Sequence, residues 1–282
     1  MNSKSLPPAS PAPLALDRRR FLALCAAIAG APAAAGRAWA GDAEERADLK
    51  PLFQAEGVAG TFVLHDPISG RTMTVDGQRA ARRYVPASTF KIANSLIALE
   101  TGVVTDEAEI IPYGGKPQPF KAWEKDMSMR EAIAASAVPI YQEIARRVGL
   151  ERYRDWLERL RYGNRATGTA LETFWLDGPL EISAIEQASF VAALAQQKLP
   201  ASIRSQSIVR DILRLESSGD RALYGKTGWR FSSTPQLGWW AGWVERGTRP
   251  IAFALNIDMT SAEDARKRVA IGKAILSKLD VL

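Results

Sequence analysis

Between residues 86 and 102 the apolar positions recur at helical spacing. Ile92, Leu96 and Leu99 fall at i, i+4 and i+7, with Ala93 and Ile97 beside them, which predicts a buried amphipathic helix. Gly102 stands where a C′ residue would close it. Ahead of it, Val58 to Leu64 reads as a strand, Asp66-Pro67-Ile68-Ser69-Gly70 as a turn and Arg71 to Val75 as the returning strand of a hairpin. The stretch from about Thr105 to Lys125 is rich in proline and glycine and predicts a long surface loop. Ser128 and Glu131 are spaced as a capping box that opens a helix through Ala135. Pro139 can open the next helix and Gly149 close it. A further amphipathic helix is expected over Glu151 to Leu160, with Trp156, Leu157 and Leu160 on one side. A second loop runs from Tyr162-Gly163-Asn164 to Leu180. Ser183 and Glu186 repeat the capping-box spacing and open a helix to about Gln197, and another is expected over Ser205 to Leu215. The period then switches. Arg221 to Gly225, Gly238 to Val244 and Ile251 to Ile257 read as successive antiparallel strands, with Gly247 at a turn. Ser261 and Asp264 start a final helix through Leu279. This order predicts an α+β fold: an antiparallel sheet flanked by helices, built from the N-terminal hairpin plus the C-terminal strands, with an all-helical subdomain inserted at about 105–200.

The first forty residues stand apart from that pattern. Arg18-Arg19-Arg20-Phe21-Leu22 leads into an alanine-rich apolar run, and Ala38-Trp39-Ala40 offers a small-x-small cleavage site. This predicts a cleaved export signal over 1–40, of the twin-arginine type, and a periplasmic protein whose single catalytic domain is 41–282. The run is shorter than the roughly 20 residues a spanning helix needs, so no stable membrane anchor is expected. Cys25 is preceded by Leu24, where a lipoprotein needs a small residue. Of the formal net charge of +6, +4 belongs to that segment, through Lys4, Arg18, Arg19, Arg20 and Arg37 against Asp17. The remaining +2 gives no reason to expect a nucleic-acid partner. Beyond residue 40 there is no cysteine, and the only histidine is His65 at a strand end. A thiol nucleophile and a histidine-rich or cysteine-rich metal site are thereby excluded, and no metal is expected.

Chemistry enters with Pro86-Ala87-Ser88-Thr89-Phe90-Lys91. Ser88 falls near the helix N-terminus with Lys91 on the same face, roughly 5–6 Å away between Cβ atoms. Taken alone, Ser88 could cap the helix while Lys91 snorkels to water. A lysine on the inward side of an apolar helix is otherwise costly unless paired or neutralised. Three more short motifs follow in order: Ser136-Ala137-Val138, Tyr162-Gly163-Asn164 and Lys226-Thr227-Gly228. Together with Ser88-x-x-Lys91 they resemble the penicillin-recognising serine enzymes, and specifically the class D β-lactamases of the oxacillinase group. Phe174-Trp175-Leu176, Gly178-Pro179-Leu180 and Trp239-Trp240-Ala241-Gly242-Trp243 add to the resemblance, which runs from about Val58 to the C-terminus.

That resemblance implies a β-lactamase/transpeptidase-like fold, a β-lactam as small-molecule substrate, and a monomer or homodimer. Ser88 is implied as nucleophile, and Lys91, carrying a carbamate derived from carbon dioxide, as general base; no other cofactor is implied. Phe90, Val138, Trp175 and Leu176 match the apolar positions around that lysine, where desolvation favours the neutral amine. Ser136 and Lys226 are implied as proton relay, and the backbone N–H groups of Ser88 and Trp229 as oxyanion hole. Thr227 and Gly228 are implied in substrate binding, with Arg268 or Arg266, the former fitting better, for the substrate carboxylate. A penicillin-binding DD-peptidase or a non-hydrolysing β-lactam sensor domain shares the acylation step. The loops at Lys116 to Trp123 and Phe231 to Gln236 are where substrate range is expected to be set. The three tryptophans at 239–243 are expected in the core.

Overall fold

The computed structural model describes residues 43–282, so the expected export signal lies outside the described residues. A seven-stranded sheet runs in the order β1-β3-β2-β7-β6-β5-β4. Its strands are β1 (Glu44–Glu45), β2 (Gly60–His65), β3 (Thr72–Val75), β4 (Arg214–Ser218), β5 (Arg221–Arg230), β6 (Gln236–Arg246) and β7 (Arg249–Met259). Every pairing is antiparallel except that of β1 with β3. The expected hairpin and the three C-terminal strands are present, and the latter are longer than their apolar runs. The helix expected to reach Leu215 ends at Ile212, and residues 214–218 form a strand instead. All five are exposed at the sheet edge, so they carry no alternation to betray them.

The helices are α1 (Lys50–Ala55), α2 (Gly77–Ala81), α3 (Lys91–Glu100), α4 (Met129–Ala135), α5 (Val138–Val148), α6 (Leu150–Leu160), α7 (Ala184–Ala195), α8 (Ile203–Ile212) and α9 (Lys267–Lys278). The capping boxes at Ser128–Glu131, Ser183–Glu186 and Ser261–Asp264 all form. Helix α8 starts earlier than expected because Ser202, whose side chain accepts from Ser205 N–H, is its cap.

Leu237 to Val244 of β6 is buried without a break, which explains its continuous apolar run. One face of the sheet packs Trp240, Phe253 and Leu255 against Ile271, Ile275 and Leu276 of α9. The other packs Trp239, Ala241 and Ala254 against Ala184, Ile185 and Ala188 of α7. A larger cluster joins α3 to α8 and includes Trp243, so the three tryptophans are core residues as expected. Helix α3 is the hub of that cluster. Lys91 to Leu99 is buried on every side, and not amphipathic as its spacing suggested. Ala93 and Ala98 complete an apolar wall around it, and its only buried polar side chains are Lys91, Asn94 and Ser95. His65 closes β2 at the strand end expected of it, with Nδ1 2.9 Å from Thr72 Oγ1 across the hairpin.

Candidate active site

Ser88 does not lie in an α-helix but in the 3₁₀ turn Ala87–Phe90 that feeds α3. Ala87 holds φ at +49°, a left-handed conformation that an alanine rarely adopts. The turn leaves Ser88 at the wall of a cavity of about 780 Å³ between the helical layer and the sheet. Lys91, the first residue of α3, is fully buried, and its Nζ donates to Ser88 Oγ at 2.8 Å. Burial first, then the charge of Lys226, holds the Lys91 pKa well below the ordinary lysine value.

Ser136 ends α4 with φ at +55°, so the chain reverses there and α5 starts two residues later. Lys226 on β5 donates to Ser136 Oγ and to Thr227 O, both at 3.0 Å. Its pKa is lowered to about 7, by burial and then by the Arg268 guanidinium. Arg268 near the start of α9 donates to Ala265 O at 2.6 Å and to Gly228 O, and its guanidinium faces the Trp229 ring at 5.8 Å. Burial draws its pKa down to about 10. Arg266 is exposed and lines no part of the cavity, so of the two arginines left open by the sequence, Arg268 is the one at the site.

Thr227, Gly228 and Trp229 line the cavity, on the half of β5 that β4, paired only as far as Tyr224, leaves uncovered. Val138 and Leu176 line it from the helical side. Phe90 and Trp175 are fully buried behind that wall, 5.7 Å apart between ring centroids, and Phe174 and Tyr162 also pack on Phe90. Apart from Arg266, the candidate catalytic, oxyanion, substrate and pocket residues singled out in the sequence therefore gather at or directly behind one cavity. Trp175 Nε1 is buried with no hydrogen-bond partner.

Sequence reasoning missed Tyr141, whose ring centroid is 5.2 Å from Lys91 Nζ and whose hydroxyl is 2.7 Å from Ser95 Oγ. Tyr141 follows Val138 by three residues on one helix face, and that spacing was the available signal. The two loops expected to set substrate range do reach the cavity. Phe120 and Phe231 face each other across its mouth at 6.5 Å, backed by Trp123 and Trp229. Trp123 Nε1 donates to Ala135 O at 3.0 Å, and Ser232 donates to Asp177 Oδ1 at 2.8 Å, so both loops are tied to the wall. The arrangement offers a buried nucleophile–amine pair, a second hydroxyl–amine pair opposite it, a cation beyond, and apolar walls. That is the equipment of a covalent acyl-transfer site.

The penicillin-binding protein transpeptidase domain matches residues 60–277. β-Lactamase OXA-5 of Pseudomonas aeruginosa is 40% identical over 233 residues, 82% of this chain and 87% of that protein. β-Lactamase OXA-48 of Klebsiella pneumoniae is 38% identical over 259 residues, 92% of this chain and 96% of that one. Among solved structures, FUS-1 (OXA-85), a class D β-lactamase from Fusobacterium nucleatum subsp. polymorphum, superposes with a TM-score of 0.82 at 38% identity. It covers 85% of this chain and 100% of its own.

Proposed function

Since this chain belongs to the class D serine β-lactamases, we propose that it opens β-lactams through an acyl-enzyme on Ser88, with a carbamate on Lys91 as the base. The observation that carries this reading is the fully buried Lys91 amine, 2.8 Å from Ser88 Oγ and depressed in pKa by burial. An ammonium cannot take a proton from serine, and a lysine kept neutral can react with carbon dioxide. The residues present fit such a carbamate. Trp175 Nε1 is a buried donor without an acceptor, and Val138, Leu176 and Phe90 supply a dry surround. When formed, the carbamate supplies a carboxylate-type base beside Ser88, for attack on the lactam carbonyl and again for the water that releases the acyl group.

The chain's own groups do the rest. The backbone N–H groups of Ser88 and Trp229 are the donors for the developing oxyanion. Ser136 passes a proton to the departing lactam nitrogen, drawing on Lys226, whose pKa near 7 suits both gain and loss of a proton at neutral pH. Arg268 and Thr227 receive the substrate carboxylate, and Phe120, Trp123 and Phe231 cover its apolar side chain. Among the described residues no helix is long and apolar enough to cross a membrane. The signal expected over 1–40 is what supports an exported, periplasmic enzyme.

Mass spectrometry of the protein mixed with a penicillin tests the reading. A Ser88 adduct that forms and disappears within the assay is expected; a persistent adduct would identify a peptidase or sensor instead. Removing carbon dioxide should depress turnover, more so at lower pH, and bicarbonate should restore it. Turnover indifferent to bicarbonate sinks the base and leaves the nucleophile standing. Val138→Asp would place a carboxylate near Lys91, raise its pKa and favour the ammonium. Turnover should fall about tenfold or more and recover only with excess bicarbonate.

A further inference from the structure

Behind the nucleophile turn, away from the cavity, three buried polar side chains from distant parts of the chain meet. Thr89 Oγ1 donates to Pro86 O at 2.7 Å and accepts from Gln187 Nε2 of α7 at 2.6 Å. Thr89 and Gln187 are wholly buried, and Tyr162 is 1% exposed. The Tyr162 hydroxyl and Gln187 Oε1 are buried without a hydrogen-bond partner. Burial raises the Tyr162 pKa strongly, and Thr89 and Gln187 lie close enough to draw it partly back. The hydroxyl thus stays protonated, a donor beside the one lone pair that Thr89 has left. None of the three lines the cavity.

What they hold is the turn itself. Pro86 O also accepts from Thr89 N–H at 3.2 Å, and Val85 O accepts from Trp239 Nε1 at 3.0 Å. The turn keeps Ala87 at φ +49°, a conformation that persists only when its surroundings over-determine it. The Tyr162-Gly163-Asn164 motif is built to bring the tyrosine there. Gly163 has φ +53°, and a Cβ on it would lie 2.0 Å from Glu181 O. Asn164 Oδ1 accepts from Glu181 N–H at 3.0 Å and its Nδ2 donates to Pro179 O at 2.8 Å, closing the loop. Gln187 lies in the first turn of α7, placed by the Ser183–Glu186 capping box.

We propose that Thr89, Gln187 and Tyr162 are positioning residues, a buried hydroxyl–amide relay that holds Ser88 in register for attack and gives the Tyr-Gly-Asn motif its role. The proposal rests on Ser88 being the nucleophile. The test is the pre-steady-state acylation rate by a chromogenic cephalosporin, per titrated active site, in variants shown by circular dichroism to be folded. Thr89→Val and Gln187→Leu keep the volume but break the relay, and acylation should slow about tenfold to a hundredfold, as for an ångström-scale misplacement. Thr89→Ser keeps the hydroxyl and should acylate near the wild-type rate. The Thr89→Val/Gln187→Leu double variant should be no slower than the slower single one, since both act through one contact. Tyr162→Phe should lose several-fold, and a wild-type rate there removes the tyrosine from the relay. Acylation by Thr89→Val at the wild-type rate, or Thr89→Ser as slow as Thr89→Val, overturns the proposal. If Thr89→Val does not fold, Gln187→Leu carries the same expectation. A wild-type protein that forms no Ser88 adduct overturns the nucleophile reading instead, before any variant is compared.

Discussion

Two residues at the cavity keep a left-handed backbone without being glycine, Ala87 and Ser136. That conformation costs an L-residue about 1–2 kcal/mol, and at Ser136 it aims the hydroxyl at Lys226. Ser136→Ala removes the hydroxyl alone, whereas Ser136→Gly removes the strain as well. Both should lose turnover to a similar degree, while the glycine variant unfolds in urea as the more stable by about 1 kcal/mol, less whatever its freer unfolded chain returns. Equal midpoints would mean that the surroundings absorb the strain. Trp175 allows a second test at this scale. Its indole N–H is buried without a partner, a condition worth about 1–3 kcal/mol of destabilisation. Trp175→Phe deletes that orphan donor, so its stability loss should be small for so large a truncation. Turnover should need more bicarbonate for half-saturation, which a bicarbonate titration reads directly.

At the scale of elements, the site exists because β5 lies against the turn Ala87–Phe90. Gly228 permits the approach: a Cβ there would meet Pro86 O at 2.9 Å, Trp239 Cβ at 3.1 Å and Thr89 Cγ2 at 3.2 Å. None of these is the free end of a flexible side chain. Gly228→Ala should therefore push strand and turn apart, with kcat/KM falling at least tenfold while the melting temperature drops by only a few degrees. A variant that melts early yet keeps wild-type kcat/KM would show that the strand, and not the turn, gives way. Much of this was legible beforehand. Capping boxes, helix-closing glycines and the Ser88, Ser136 and Lys226 motifs act locally, through spacing along one element. What stayed hidden depends on neighbours. Arg214 to Ser218 is a strand only because Arg221 to Tyr224 pairs with it. Ile203, exposed at the start of α8, breaks the apolar period that would have announced that helix. Tyr141, Gln187 and the Phe120–Phe231 contact owe their places to tertiary packing, which no periodicity encodes.

Across the whole molecule, Lys91, Ser136, Trp175, Lys226 and Arg268 come from widely separated segments and meet where the helical cluster abuts the sheet. Three of them are basic side chains in one buried region, and this works against folding. Lys226 has a pKa near 7 when folded, against an ordinary value of 10.5. Between those two values the unfolded chain binds a proton that the folded chain does not. Stability therefore rises with pH through that window. The destabilising contribution of Lys226 is present in full below about pH 7 and is gone above about pH 10.5. It is on the order of a few kcal/mol, since a tenfold loss of proton affinity on folding corresponds to about 1.4 kcal/mol. Lys226→Met keeps the apolar stem and loses the charge, and it also relieves Lys91 of the like charge beside it. The variant should be nearly inactive yet melt higher than the wild type near neutral pH. Its advantage should shrink steadily as the pH is raised towards 10. Paired thermal melts at several pH values decide the matter: an advantage that is absent, or that grows with pH, would show that Lys226 is buried at no electrostatic penalty.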